Sequence, residues 1–410
     1  MFTTEISKAE IVIKQRQKKG YIIIMKDNYN ARVIAYYLPQ FHPTPENDKI
    51  WGKGYTEWTN VAKARPQFRG HYQPQLPADL GFYDLRLAQS RIDQAELARA
   101  YGVEGFCYWH YWFGNGRRIL DLPFREVLES GKPDFPFCLG WANHSWSTKT
   151  WQKTNGITKD VEFIHQDYPG DDDYIEHFYT VLKAFKDDRY IRVDGKPLFL
   201  VYDPTSIPDN KHFIDLWNKL AVENGLPGIH FVGRLSSVGS FKGQSKNQML
   251  ASTATRYNEY LGYGYNAITP ENIRRACIET GGYLHKLFRT FMERTAGNFT
   301  VEKYNYAKII NHLYTEEDKR EDVYPQLVPR WDKTPRKGHD AEIFYNSTPE
   351  NFEKSLEIAL DCVKNKPLEH RIMFLFAWNE WGEGAYLEPD IKYGRGHLEA
   401  LKKKIVDEKL

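Results

Sequence analysis

The stretch Arg371–Gly384 reads RIMFLFAWNEWGEG: an apolar run of strand length that ends abruptly in tryptophan, asparagine and two glutamates. Working outward, the same polarity recurs along the chain. Short apolar runs begin at Arg32–Phe41, Gly102–Trp112, Phe135–Trp146, Lys196–Pro204, Gly228–Arg234, Ala254–Tyr260 and Gln326–Asp332, and their tips read YYLPQFH, YWHYW, WANHSW, YDP, GRLSS, YNEY and RWD. Helix-like stretches separate them, at Asp84–Tyr101, Asp171–Asp187 and Asn210–Asn224, and at Glu350–Asn365 behind a Thr348-Pro349 start signal. Runs alternating with helices are the mark of an α/β chain. Eight of them predict a single (β/α)₈ TIM barrel, whose chemistry collects at the C-terminal strand ends. A doubly wound sheet is the alternative, but no GxGxxG follows the first run and no GxxxxGK[ST] occurs. The Gly- and polar-rich segment Gly239–Thr300 is expected to form long loops over the C-terminal face.

Residues 1–30 carry scattered charge and are read as a tail outside the core, and 31–410 as one catalytic barrel domain. The N-terminus lacks the apolar core of a signal peptide and no apolar run reaches membrane-spanning length, so a cytoplasmic protein without a membrane span is expected. Lys plus Arg number 56 and Asp plus Glu 54, a balance that offers no electrostatic case for nucleic acid. The four cysteines, Cys107, Cys138, Cys277 and Cys362, form no CxxC pair and no dense disulfide framework. No zinc-type histidine spacing occurs, and Asp171-Asp172-Asp173 reads as acidic residues opening a helix rather than as a metal ligand. Neither a metal nor a cofactor is therefore expected. Aromatic residues reach 15%, a density that suits an oligosaccharide or polysaccharide partner, because a sugar's C–H face packs on a ring.

The strongest chemical signal is Glu380 and Glu383, two carboxylates at the tip of the last run. Glycoside cleavage needs such a pair, one to protonate the leaving oxygen and one to act as base or nucleophile. Burial among tryptophans and mutual repulsion are expected to push their pKa values apart. Around them, Tyr36, Trp112, Trp141, Tyr257 and Trp331 at strand ends, Trp58 in the loop after the first strand, and His110 within YWHYW are candidates to line a sugar cleft. Asn143, Arg330 and Asn379 are candidates to bind hydroxyls or anchor the glutamates, as is Asp332.

These motifs resemble a known family. YYLPQFHP (36–43), GYTEWTNV (54–61), GHYQPQLPADLGFYD (70–84), GFCYWHYWF (105–113), WANHSW (141–146) and AWNEWGEGAYLEPD (377–390) look like the WbsX family, whose members are often labelled glycosyltransferases of O-antigen or capsule loci and are related to glycoside hydrolase family 99, of the endo-α-mannosidase type. The resemblance runs from about Ala31 to Ala400. It implies a (β/α)₈ barrel and metal-independent glycan chemistry with net retention. It implies Glu380 as the base that deprotonates the sugar's 2-hydroxyl for an anhydro-sugar intermediate, and Glu383 as general acid/base. His144 departs from the W-A-N-E expected at the third strand. The resulting expectation is a retaining hydrolase of a bacterial surface or host glycan, with a polysaccharide-assembly glycosyltransferase as the alternative.

Overall fold

The computed structural model describes residues 29–148, 161–236, 246–281 and 301–409. The expected tail falls almost wholly outside them. Asn30, at its boundary, is buried and donates from its side chain to the carbonyls of Lys404 (2.7 Å) and Glu408 (2.8 Å), tying the start of the barrel to the C-terminal residues that follow the last α-helix.

Eight parallel strands form the barrel: β1 Arg32–Tyr37, β2 Gly105–Trp112, β3 Phe137–Trp141, β4 Lys196–Val201, β5 His230–Ser236, β6 Ala267–Glu271, β7 Gln326–Leu327 and β8 Ile372–Leu375. Their lateral order is β6-β5-β4-β3-β2-β1-β8-β7. Closure is made by a parallel bridge between Ile268 and Val323, where Ile268 N donates to Asp322 O (2.9 Å) and Tyr324 N to Ile268 O (2.8 Å). Between the strands run α1 Ala88–Ala100, α2 Leu122–Ser130, α3 Asp171–Phe185, α4 Asn210–Glu223, α5 Lys246–Gly262, α6 Tyr306–Leu313 and α7 Pro349–Val363, with α8 Gly396–Lys402 after β8. The fold is the expected TIM barrel. Thr348 caps α7 by accepting from Asn351 N, and Asp171-Asp172-Asp173 form the first turn of α3.

Two expectations are corrected. Ala254–Tyr260 is not a strand: it lies in α5, and the sixth strand follows at Ala267–Glu271. Tyr257 and Tyr260, three residues apart, are the buried positions of that segment, which is helical spacing. Gly239–Thr300 is accordingly not all loop, since it contains α5, β6 and the helical residues 273–281. Among the described residues no helix is long and apolar enough to cross a membrane.

The pleat of β2 matters for the site. Trp109 faces the barrel interior, its ring 4.7 Å from Tyr36 and 5.5 Å from Tyr202. Its neighbours face outward: Tyr108 packs on Phe124 of α2, and Trp112 stacks on His177 of α3 at 4.7 Å. At Gly140 a Cβ would come within 2.9 Å of the Trp109 ring, so β3 leaves the interior space that this indole fills.

Candidate active site

Asn379 sets the geometry at the tip of β8. Its side chain accepts from Leu38 N (2.7 Å) and donates to Leu38 O (3.0 Å), continuing the β1–β8 pairing beyond the last backbone pair. The chain then makes a single 3₁₀ turn, Trp381–Glu383, ending at Gly384 with φ of +56°. A side chain there would be strained and would meet Asp332, whose amide donates to Glu383 O (2.8 Å). Trp381 stacks on Tyr386 (3.7 Å between centroids) and donates from Nε1 to Glu388 (2.6 Å). Glu380 and Glu383 thus flank a fixed ring in the sequence.

The two carboxylates share one cation. Arg336, on the short helix Thr334–Lys337 after β7, donates to Glu380 Oε1 (3.0 Å), Glu383 Oε1 (2.8 Å) and Glu57 Oε1 (2.8 Å). Glu57, on the short helix Glu57–Lys63 after β1, is fully buried and also accepts from Gln40 (3.0 Å). Gly382 makes this approach possible, because a Cβ there would lie 1.5 Å from Glu57 Oε1.

The environments of the pair differ. Burial pushes Glu380 up to about 7, against the pull of Arg336 and with added repulsion from Glu383 and Glu57. Its Oε2 has no hydrogen-bond partner among the described residues. Burial also pushes Glu383 upward, but Lys333 (3.8 Å) and Arg336 outweigh it and hold this carboxyl below the usual range. At neutral pH Glu383 is therefore ionised, while Glu380 sits near its midpoint and exchanges a proton readily.

They open onto a cavity of about 230 Å³ at the barrel mouth. Its walls include Trp109 and Tyr111 from β2, Trp51, Trp146, Phe163, Tyr202 and His144. Burial pushes His144 down to about 4, with Arg234 adding to the effect, so its ring is neutral at pH 7. Among the described residues, no cluster of three His, Cys, Asp or Glu side chains is arranged to hold a metal ion.

Of the residues expected from sequence, Glu380 and Glu383 meet in this cavity and the proposed sugar contacts lie elsewhere. Tyr36 is fully buried inside the barrel, stacked on Phe374 and accepting from Gln326. His110, Trp112 and Trp141 face outward, toward α3: His110 lies 2.9 Å from His177 Nε2, Trp112 donates to Asp173, and Trp141 donates to Trp112 O. Trp58 anchors its loop by donating to Tyr83 O. Asn143 clamps the backbone of Asp203, and Tyr257 is buried on α5. Arg330 is paired with Asp390 beneath Tyr386, and Asn379 is spent on Leu38. Trp331 and Asp332 line a neighbouring cavity. Residues missed were Arg336, Gln40, Trp51, Trp109, Tyr111, Trp146 and Tyr202. For Trp109 and Tyr111 the signal was present, since a strand's period of two puts them on the face opposite His110 and Trp112.

A family model described as Glycosyltransferase WbsX matches residues 33–401. Two uncharacterized WxcX proteins, from two strains of Xanthomonas campestris pv. campestris, are 34% identical over 376 and 384 residues, covering 91% and 93% of this chain. These make up 49% and 50% of the relatives, so the chain spans about half the length of the curated proteins it matches. Among solved structures, a GH99 endo-α-mannosidase from Bacteroides thetaiotaomicron in complex with BIS-TRIS-propane aligns with a TM-score of 0.53 at 12% identity, covering 91% of this chain and 95% of its own. A glycoside hydrolase-like protein aligns with a TM-score of 0.55 at 13% identity, covering 96% and 98%. At such identities the likeness is one of fold.

Proposed function

Because the chain belongs to the WbsX glycosyltransferase family, we propose that it acts on a glycan, as a retaining glycoside hydrolase of the endo-α-mannosidase type on a bacterial surface or host polysaccharide. One observation carries the reading: two buried carboxyls held by one arginine at a barrel mouth, one pushed up and the other held low, across from a wall of aromatic rings.

Glu380 removes the proton of the sugar's 2-hydroxyl while that oxygen attacks the anomeric carbon. Glu383 protonates the leaving oxygen as its bond to that carbon breaks. Glu383 then takes a proton from water, which opens the 1,2-anhydro sugar at the anomeric carbon, and the 2-oxygen regains its proton from Glu380. In the free site Glu380 holds a proton more readily than Glu383, the reverse of what the first step needs. A 2-hydroxyl donating to the unpartnered Glu380 Oε2 favours the ionised form of Glu380, and the proton passes to Glu383.

An NMR time course with α-manno-oligosaccharides and an aryl α-mannoside tests this. Cleavage with a retained anomer, lost in Glu383→Gln, supports the reading; full turnover in that variant overturns it. The description of the family itself favours a second reading, glycosyl transfer in polysaccharide assembly with the same carboxyls. That reading predicts binding of a nucleotide sugar and no cleavage of glycans.

A further inference from the structure

A second cavity of about 270 Å³ adjoins the first behind Trp331 and Asp332. Its walls come from the loop around Phe68–Gln75, from Arg330–Asp332, from residues 343–347, and from Lys392 and Tyr393. Rings supply much of the surface, with Tyr72, Trp331, Phe344 and Tyr393 among them.

The polar groups of this cavity are unevenly matched. Asp332, its one carboxylate, is already committed: Oδ2 lies 2.8 Å from His71 Nε2 and accepts from Gln73 (2.7 Å) and Gln75 (3.3 Å), and Oδ1 accepts from the hydroxyl and amide of Thr334. Two cations of the lining, Arg69 and Lys392, form no ion pair among the described residues, and Lys392 Nζ rests over the rings of Tyr72 (4.9 Å) and Tyr393 (4.7 Å). Among the described residues, two buried donors in the wall, Arg330 Nε and Trp331 Nε1, have no hydrogen-bond acceptor; Gln75 Oε1 is an unmet acceptor, and the Tyr72 hydroxyl, which can donate or accept, is unmet as well. Unmet buried polar groups are destabilising, so several around one hollow call for a ligand. The surplus of positive charge and of donors over acceptors fits an anion, and the rings fit a sugar's C–H face.

We propose that this cavity is a binding site for a negatively charged sugar residue, of the uronic acid class, within the glycan that the neighbouring carboxyl pair acts on. It rests on the glycan reading above and adds the charge of the substrate. Its position gives it a line to the chemistry, because the Asp332 carboxylate forms part of its wall while the Asp332 amide holds Glu383 O.

Methyl β-D-glucuronide and methyl β-D-glucoside, compared by saturation-transfer NMR, serve as probes. The glucuronide is expected to bind and the glucoside not. Arg69→Gln/Lys392→Gln, which alters only exposed side chains, is expected to weaken glucuronide binding at least about ten-fold, and Trp331→Phe, which keeps a ring and removes the N–H, to weaken it by less. Glu380→Gln is expected to leave it unchanged, which separates this site from the carboxyl-pair cavity. Equal binding of both probes, binding that survives the double substitution, or no glucuronide signal would each overturn the proposal. Glucuronide binding without turnover of any glycan would refute the hydrolase reading alone.

Discussion

Replacing Arg336 by glutamine removes a single cation from three buried carboxylates and should expose how the site is held. Arg336 donates at 2.8 Å to Glu57, 3.0 Å to Glu380 and 2.8 Å to Glu383. Breaking a buried ion pair by deleting one partner typically costs about 3–5 kcal/mol, because a charge is left uncompensated. Three partners would not triple that figure, since a buried carboxyl that loses its cation takes up a proton instead. The pH dependence therefore carries the test. In the variant, Glu380 and Glu383 lose Arg336 and titrate higher than in the wild type, so between pH 5 and pH 8 the folded variant binds protons that the folded wild type does not. Stability then falls as pH rises, by up to about 1.4 kcal/mol per pH unit for each shifted group. In the wild type Glu380 already behaves this way, while Glu383, held low, does not. Urea unfolding followed by tryptophan fluorescence at pH 5 and pH 8 measures the difference. The expected gap between wild type and variant is about 3–5 kcal/mol at pH 8 and clearly smaller at pH 5, with Arg336→Lys in between. A gap below about 1 kcal/mol at pH 8, or one equal at both pH values, would refute the clamp.

Further outcomes are expected. Glu380→Gln and Glu383→Gln should each lower turnover of an unactivated glycan by about 10²–10⁴-fold while circular dichroism stays native; of the two, Glu383→Gln should keep more activity on an aryl glycoside with a good leaving group, and the reverse order would exchange their roles. Gly382→Ala drives a methyl into Glu57 Oε1, 1.5 Å away, and should destabilise the fold by about 1–3 kcal/mol and abolish turnover; a native-like crystal structure with full activity would contradict the packing. Acid should destabilise the protein before any carboxylate pair is lost. Burial lowers His42, His110, His144, His177, His230 and His397, so below pH 6.5 the unfolded chain binds protons that the folded state refuses. Asp318, Glu380 and Glu388, raised to about 6, 7 and 7, act in the opposite sense over the same window, as do the exposed His165 and His212, raised by Glu162 and Asp171, but together they are fewer. The net slope should reach about 1.4 kcal/mol per pH unit for each excess histidine, and a urea midpoint that stays flat from pH 7 to pH 5 would count against it.

The barrel was legible because its information is local and repeated: apolar runs with polar tips, separated by helical stretches. The run that failed, ATRYNEY, failed on period, since Tyr257 and Tyr260 share one face only if the segment is helical. The carboxyl pair was legible because both glutamates sit in one seven-residue motif. The lining of the cavity was not, for a reason of parity. Choosing His110 and Trp112 instead of Trp109 and Tyr111 is a one-residue slip, and in a strand that slip exchanges the interior for the helix layer. Arg336 was out of reach in a different way, because its role depends on three carboxylates brought together by the fold and no local pattern around it announces them.

The length of chain between Glu57 and Arg336 has its own consequence. They are 279 residues apart, and Glu57 belongs to the first strand's loop while its cation follows the seventh. During synthesis, the fully buried Glu57 leaves the ribosome long before the arginine that pairs with it. A nascent chain ending before Arg336 cannot close this cluster. The two halves of the charge lock also make a natural pair for a split protein, in which activity would report that the fragments had found each other.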